Sequence, residues 1–392
     1  MPAGARIARA TVFLVNIPLR VAVEHALASR TANMTGFLVL ESPDGTAGIG
    51  EFLARDYVTG DTLDDCVAVL RDLGARLTGL AVDDPVDAIR ELWATTPERR
   101  GRLGALGAID LALVDLCGKS TGRPVSALLD RAPRVSSDRV VFSAAYPLTH
   151  GVTLAALHLF YRTWLRMDQL KVKGTGDVHT DQRYVRLIRR AFPYPVDIRI
   201  DLNGSLRPEA ADAYIAAMRE PGCDVRWFEQ PFPKDDFDSA ARVQARCDGD
   251  VILCADESVC TIADLDQAVR AGAFRAVNIR IAKHGGLVRA LEIHDRATAA
   301  GLQTQLGCLV GESSVLAYAG LHLATLAGRF RFHEGCFGRY LIRWDVVRPS
   351  LRFGRHGRVR AVLPAGGLVP PFDLEGLRRA AAEIVPLGDG GV

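Results

Sequence analysis

Six charged residues mark out the chain from residue 173 onward. Lys173, Asp201, Glu229, Asp256 and Lys283 follow one another at intervals of 28, 28, 27 and 27 residues, and Glu334 comes 51 residues after Lys283. A strand with its crossover helix repeats on this scale, so charges that recur with it stand at the same end of consecutive parallel strands. In a closed barrel of such units, the carboxyl ends of the strands form one rim and the active site lies there. The spacing therefore gathers these six side chains around one cavity. So much charge taken out of water is costly unless it is paired, and a bound cation would partner the carboxylates.

Eight short apolar segments flank these positions: 140–144, 169–172, 197–201, 227–229, 252–255, 276–279, 303–305 and 330–333. They alternate with amphipathic helical patterns, which predicts an α/β fold, a (β/α)8 (TIM-like) barrel over 138–367. Residues 1–137 read differently, as an α+β N-terminal capping domain. Strands are expected at 8–16 and 35–41, and Ser42-Pro43-Asp44-Gly45 turns the chain into a third at 47–52. Helices are expected over 62–80, with Asp61 or Thr62 as N-cap, and over 85–95 and 103–121. The last is apolar nearly all round, which predicts burial. Residues 368–392 are expected to leave the barrel after a turn at 364–367 and to pack back on the capping domain through a helix over 374–384.

Composition narrows the partners. Against 48 basic residues stand 46 acidic ones, a net charge of +2, so no field strong enough to recruit nucleic acid or a membrane surface is implied. A small molecule is the expected partner. The eight cysteines are scattered without a C-x-x-C pair, which suits reduced thiols in the cytoplasm. No signal-like N-terminus and no apolar run of the ~20 residues needed for a membrane span is present, so a soluble intracellular protein is expected.

Asp201 lies in Asp-Leu-Asn-Gly, Glu229 in Trp-Phe-Glu-Gln-Pro and Asp256 in Ala-Asp-Glu-Ser. One oxygen from each would fill half of an octahedral shell and leave the rest to substrate and water, the usual way Mg2+ is held, with Mn2+ as a substitute. No His or Cys cluster joins them, which argues against zinc. Lys171-Val-Lys173 places two ammonium groups on one strand face, and Lys283 is expected from the sixth strand on the far side of the rim. A partly desolvated lysine beside a divalent cation has a lowered pKa and serves as a base. Removing a proton next to a carboxylate becomes feasible when a metal stabilises the ene-diolate, and two opposed bases allow one to take the proton and the other to return it.

These segments together resemble the enolase superfamily, in the muconate-lactonising-enzyme subgroup of the mandelate racemase/muconate lactonizing enzyme family. The matching residues are Lys171-Val-Lys173, Asp201-Leu-Asn203, Glu229-Gln230-Pro231, Asp256-Glu257-Ser258 and Ala282-Lys283-His284-Gly285-Gly286. Gly50-Glu51 and the segment 108–118 extend the similarity into the first domain. The resemblance implies Asp201, Glu229 and Asp256 as Mg2+ ligands, Lys173 and Lys283 as an acid/base pair, and Lys171 as an electrostatic helper. Asn203 would support the metal site and Glu257 would stand behind it. Specificity in this family comes from two loops of the small domain, whose counterparts at 21–29 and 53–59 bring Glu24, His25, Arg55 and Tyr57 toward the substrate. A homo-oligomer acting on a small-molecule carboxylate is implied as well.

The eighth-strand segment His333-Glu334-Gly335-Cys336-Phe337-Gly338 lacks the Asp-x-Asp of dipeptide epimerases and looks closer to the cycloisomerases, with Glu334 holding an ammonium or hydroxyl group. Cys308 lies in a small-residue stretch with no His or Asn partner, and is expected to line the cavity rather than act as a nucleophile. The expected enzyme is an isomerase, a racemase/epimerase or a cycloisomerase. A lyase of the dehydratase or o-succinylbenzoate-synthase type is the alternative. A non-catalytic binding protein would show an eroded ligand or lysine, and none is seen.

Overall fold

The computed structural model describes residues 4–25, 28–96, 100–359 and 361–388, without the side chains of 22–30. Glu24 and His25 therefore lie outside the described residues as side chains. Strands β1 (Arg9–His25), β2 (Ala28–Glu41) and β3 (Ala47–Phe52) form an antiparallel meander. The β1–β2 ladder breaks register after Pro18 and resumes at Val23↔Arg30. Residues 21–25 and 28–29, expected in a loop, thus belong to the far ends of these two strands.

Helix α1 (Leu63–Leu77) starts where expected: Thr62 accepts from the Asp65 amide and Asp65 reaches back to the Thr62 amide. It stops before residue 80, because Thr78 turns extended and Gly79 takes a φ of 85°. Helix α2 (Pro85–Thr95) is capped by Asp84. Helix α3 (Leu103–Thr121) is buried from Leu103 to Gly118. It lies directly on the backbone of β3: a Cβ on Gly50 would stand 1.9 Å from the Ala108 carbonyl oxygen.

The second sheet is parallel, and its strand order follows the chain: β4 (Ala144–Tyr146), β5 (Gln169–Lys173), β6 (Asp197–Asp201), β7 (Trp227–Glu229), β8 (Ile252–Ala255), β9 (Ala276–Ile279) and β10 (Gln303–Leu306). Between them run α4 (Gly151–Leu159), α5 (Val178–Ala191), α6 (Ala211–Arg219), α7 (Phe237–Arg246), α8 (Ile262–Ala271), the single turn α9 (Ile281–His284) and α10 (Leu287–Ala299). Two expectations shift. The first barrel strand begins at Ala144 rather than at 140, because Val141 bridges Arg358 antiparallel and the Phe142 amide is taken by Gly357. Residues 330–333 form no regular strand. His333 instead bridges Phe142 on one side and Leu306 on the other, and the amides of Ser143, Leu306 and Glu334 bond across this seam at 2.7–2.9 Å. The ring closes through this short seam, giving the expected barrel with a minimal eighth strand.

Helix α11 (Ser314–Ala327) follows β10. Near the C-terminus α12 (Leu374–Ala380) ends four residues short of the expected helix, and β11 (Ala381–Leu387) pairs antiparallel with β1. The β-branched Ile384 and Val385 suit a strand, and an edge position tolerates Pro386.

Buried carboxylates join the N-terminal sheet layer to the barrel. Glu51 accepts from the Ser313 and Leu316 amides at the start of α11, and Asp110 from the Leu287 and Val288 amides at the start of α10. Both use the unpaired donors of a helix N-terminus. All eight cysteines are free thiols. Among the described residues no helix is long and apolar enough to cross a membrane.

Candidate active site

The rim is built by register. Asp201 closes β6 and is the cross-strand partner of Lys173 on β5 and of Glu229 on β7, while Asp256 follows the last residue of β8. All three carboxylates are fully buried. On β5, Lys171 and Lys173 share the inner face, two residues apart. Lys173 donates to Asp201 Oδ2 at 2.6 Å and to Asn203 Oδ1 at 2.7 Å. Asn203 takes a φ of 43°, a left-handed conformation that asparagine tolerates, and its amide donates to Glu257 Oε1 at 3.1 Å. Burial, with Asp256 alongside, pushes the Glu257 carboxyl up to about 7.

Lys171 is an internal counterion. Its ammonium stands 2.7 Å from Glu334 and 3.3 Å from both Asp201 and Glu229. Burial works to lower its pKa, but Glu229, Glu334 and Asp201 outweigh burial and hold it well above the usual lysine value. It stays charged. Glu334 is fixed from the other side by Arg199 at 2.6 Å. Burial raises the Glu334 carboxyl, yet Lys171 and Arg199 bring it down to about 2.

Lys283 requires a correction. It does not end the sixth strand: β9 stops at Ile279, and Lys283 sits in α9, the turn that follows. Its fully buried ammonium donates to Asp256 O at 2.7 Å, Asn278 O at 2.8 Å and Asp256 Oδ1 at 3.0 Å. The strand end is occupied by Arg280, whose guanidinium bonds to Asp256 and approaches Glu229 Oε1 at 3.4 Å. Side-chain exposure separates the amines: 21% for Lys173, 6% for Lys171 and none for Lys283. Burial works to raise the Asp256 carboxyl, but Arg280 and Lys283 bring it below its ordinary value.

Arg55 also differs from expectation. It is buried and bonds Asn33 Oδ1 at 2.9 Å and Val310 O at 3.1 Å, so it ties β2 to the loop after β10. Tyr57 is half-buried in the short helix Asp56–Thr59. Cys308 is half-buried, and burial raises its thiol well above the ordinary range, as befits a lining residue rather than a nucleophile.

Four inward-facing residues escaped the sequence reading: Arg199, Asn278, Arg280 and Gln305. Asn278 and Gln305 donate to Glu229 at 2.9 and 2.7 Å. A signal was present, since Arg199 stands two residues before Asp201, and Asn278 two before Arg280, in otherwise apolar strands. Strand alternation points each pair to the same side.

Asp201, Glu229 and Asp256 offer only hard oxygens on consecutive strand ends, which suits Mg2+ rather than zinc. Lys171 and Arg280 stand between them, and among the described residues no three acidic, histidine or cysteine side chains converge on one point. Arg280, shared by Glu229 and Asp256, marks where this trio already draws positive charge. In chemistry the three carboxylates fit a hard divalent cation.

Comparison with known proteins adds the lineage. Residues 7–130 match the mandelate racemase/muconate lactonizing enzyme N-terminal domain, and residues 158–368 match the enolase C-terminal domain-like family. The chain is 30% identical over 359 residues to an L-Lys-D/L-Arg epimerase of Methylococcus capsulatus, covering 88% of this chain and 95% of that one. It is 26% identical over 377 residues to a chloromuconate cycloisomerase of Cupriavidus pinatubonensis, covering 94% and 96%. In structure it is similar to a dipeptide epimerase of Cytophaga hutchinsonii complexed with Mg and the dipeptide D-Ala-L-Val, with a TM-score of 0.84, 20% identity and coverage of 98% and 100%. With the barrel, its rim of carboxylates and both domain matches together, the chain belongs to the enolase superfamily, in the mandelate racemase/muconate lactonizing enzyme family.

Proposed function

We propose that this protein is an isomerase, a racemase/epimerase or a cycloisomerase, that removes a proton from the carbon next to a carboxylate of a small molecule through an ene-diolate. The observation that carries this reading is Lys173: the most exposed of the rim lysines, held 2.6 Å from Asp201 among three buried carboxylates. Asp201, Glu229 and Asp256 would hold Mg2+, with Mn2+ as a substitute. When bound, the metal supplies positive charge for the second negative charge of the ene-diolate.

This chain's own residues do the rest. Lys173 takes the proton at Nζ, and its bonds to Asp201 and Asn203 fix where that nitrogen points. Lys171 stays an ammonium and holds Asp201, Glu229 and Glu334 in place. Glu257 orients Asn203. The residue division 1–137 and 138–367, with 368–392 returning to the first unit, is supported by β11 joining β1. The free thiols support a cytoplasmic setting. Val152 and Trp164, exposed at 87% and 75% near the two ends of the helical stretch 151–165 after β4, support a homo-oligomer, since such apolar surface is normally covered.

The test is α-proton exchange in D2O, followed by mass spectrometry and NMR over N-acyl amino acids, dipeptides and lactone or unsaturated diacids. Exchange should need Mg2+, stop with a chelator and be lost in Lys173→Ala. Exchange that persists in Lys173→Ala sinks the assignment. An elimination of the dehydratase or o-succinylbenzoate-synthase type is the second reading, because Arg280 occupies the strand end opposite Lys173.

A further inference from the structure

Three consecutive backbone carbonyls follow β8, those of Asp256, Glu257 and Ser258, and each accepts from a cationic side chain. Lys283 donates to Asp256 O at 2.7 Å, and Arg100 Nη2 donates to Glu257 O at 2.9 Å and to Ser258 O at 3.3 Å. The amides of Asp256 and Ser258 donate to Gln230 Oε1 at 2.9 and 3.1 Å. Backbone in a turn ordinarily pairs with itself or with water. This turn is held instead by three side chains from three separate parts of the chain.

Arg100 is the one of the three that lies outside the barrel, three residues before α3. Its Nη1 donates to Val58 O at 3.1 Å, and its Nη2 also pairs with Asp264 Oδ2 at 3.2 Å. The next amide, that of Gly101, donates to Thr59 O at 2.9 Å. Val58 O accepts as well from the Cys260 thiol at 3.6 Å. One guanidinium thus bridges the short helix Asp56–Thr59, which carries Tyr57, to the turn that carries Asp256. The rigid fork of an arginine can serve both partners at once, whereas the point charge of a lysine cannot.

We propose that Arg100 is a positioning residue: it locks segment 56–59 onto the turn 256–258, so that the seating of this segment and the binding of a cation at Asp256 strengthen each other. This rests on the reading of Asp256 as a Mg2+ ligand. A ligand must be held to within about 0.5 Å for its site to work well, and the Asp256 side chain is placed by the backbone of its own turn. Removing Arg100 takes the guanidinium from two carbonyls of that turn and from Val58 together. The coupling is reciprocal by necessity: whatever fixes the turn also holds the fork, and through it segment 56–59.

The experiment compares wild type, Arg100→Met, Arg100→Lys and Arg131→Met by Mg2+ calorimetry, and by amide hydrogen exchange with and without Mg2+. Arg131 bonds Asp295 on α10 at 2.6 and 2.8 Å and Leu326 O on α11 at 3.2 Å, so its loss shows what a broken joint between helices does to stability alone. Melting curves confirm that each variant folds. Arg100→Met should weaken Mg2+ binding by about 10–100-fold, the range for a residue that orients a metal ligand. Residues 56–60 and 256–260 should exchange faster in this variant. Mg2+ should slow exchange at 56–60 in the wild type and no longer do so in Arg100→Met. Arg100→Lys should resemble Arg100→Met, and Arg131→Met should resemble the wild type in both measurements. Unchanged Mg2+ affinity in Arg100→Met overturns the proposal, as does an equal loss in Arg131→Met. Weakened Mg2+ binding without faster exchange at 56–60 overturns the coupling, and full function in Arg100→Lys overturns the role of the fork. A wild type that binds no Mg2+ overturns the ligand reading instead, and exchange at 56–60 in Arg100→Met then decides the lock by itself.

Discussion

Glu51 couples proton binding to the joint between the N-terminal sheet and the barrel. Its carboxylate leaves β3 and accepts three hydrogen bonds at the start of α11: from the Ser313 amide at 2.9 Å, the Ser313 hydroxyl at 2.6 Å and the Leu316 amide at 3.1 Å. Burial pushes the carboxyl up, these hydrogen bonds pull it back, and the balance lies at about 7 against 4.5 for an ordinary glutamate. A folded-state pKa above the unfolded one means that the folded protein holds the proton more tightly. The stability contributed by the protonated acid is fully present below pH 4.5 and is lost as pH rises to about 7. At about 1.4 kcal/mol per pH unit, that window amounts to about 3 kcal/mol. Glu51→Gln keeps the shape and removes the titration. Guanidinium unfolding of both proteins, followed by circular dichroism at pH 5 and pH 8, isolates this group from the other carboxylates. Wild type should lose about 3 kcal/mol relative to the variant between the two pH values. Parallel behaviour of the two proteins would refute the argument, because it would mean that Glu51 is ionised across the whole range.

Glu334→Gln removes the counterion of two buried cations, Lys171 and Arg199, and should cost about 3–5 kcal/mol in denaturant unfolding at pH 7. In the wild type the Glu334 carboxyl at about 2 lies below its ordinary 4.5, so its contribution is present above pH 4.5 and lost as pH falls toward 2. Gly50→Ala would force α3 off β3, since the new Cβ meets the Ala108 carbonyl at 1.9 Å, and a loss of about 3 kcal/mol should appear as a lowered melting temperature. Mg2+ at a hundredfold excess over its Kd should stabilise the wild type by about 2.7 kcal/mol in thermal unfolding, and Asp201→Asn should lose most of that gain.

Local periodicity carried much of the architecture. A strand with its crossover helix occupies a near-constant length of chain, so intervals of 27–28 residues were enough to align Lys173, Asp201, Glu229 and Asp256 at strand ends. Those four stand on or beside four consecutive barrel strands, and the capping box at Thr62 and the buried α3 were legible for the same reason, since caps and all-round apolarity are local patterns. The same interval overshot at the sixth unit. Lys283 continues the spacing, but where a strand stops is decided by its partner: Ile279 pairs with Leu306, the chain then turns into α9, and Arg280 is left at the rim while Lys283 goes into the wall. Residues 381–387 contain good helix formers yet become a strand because β1, more than 350 residues earlier, presents an open edge. His333 closes the barrel only because Phe142 and Leu306 flank it in space. The sequence by itself determined which residue types recur and on what period. The tertiary structure decided which of them face one another, because pairing between strands far apart in the chain ends each element and aims its last side chain.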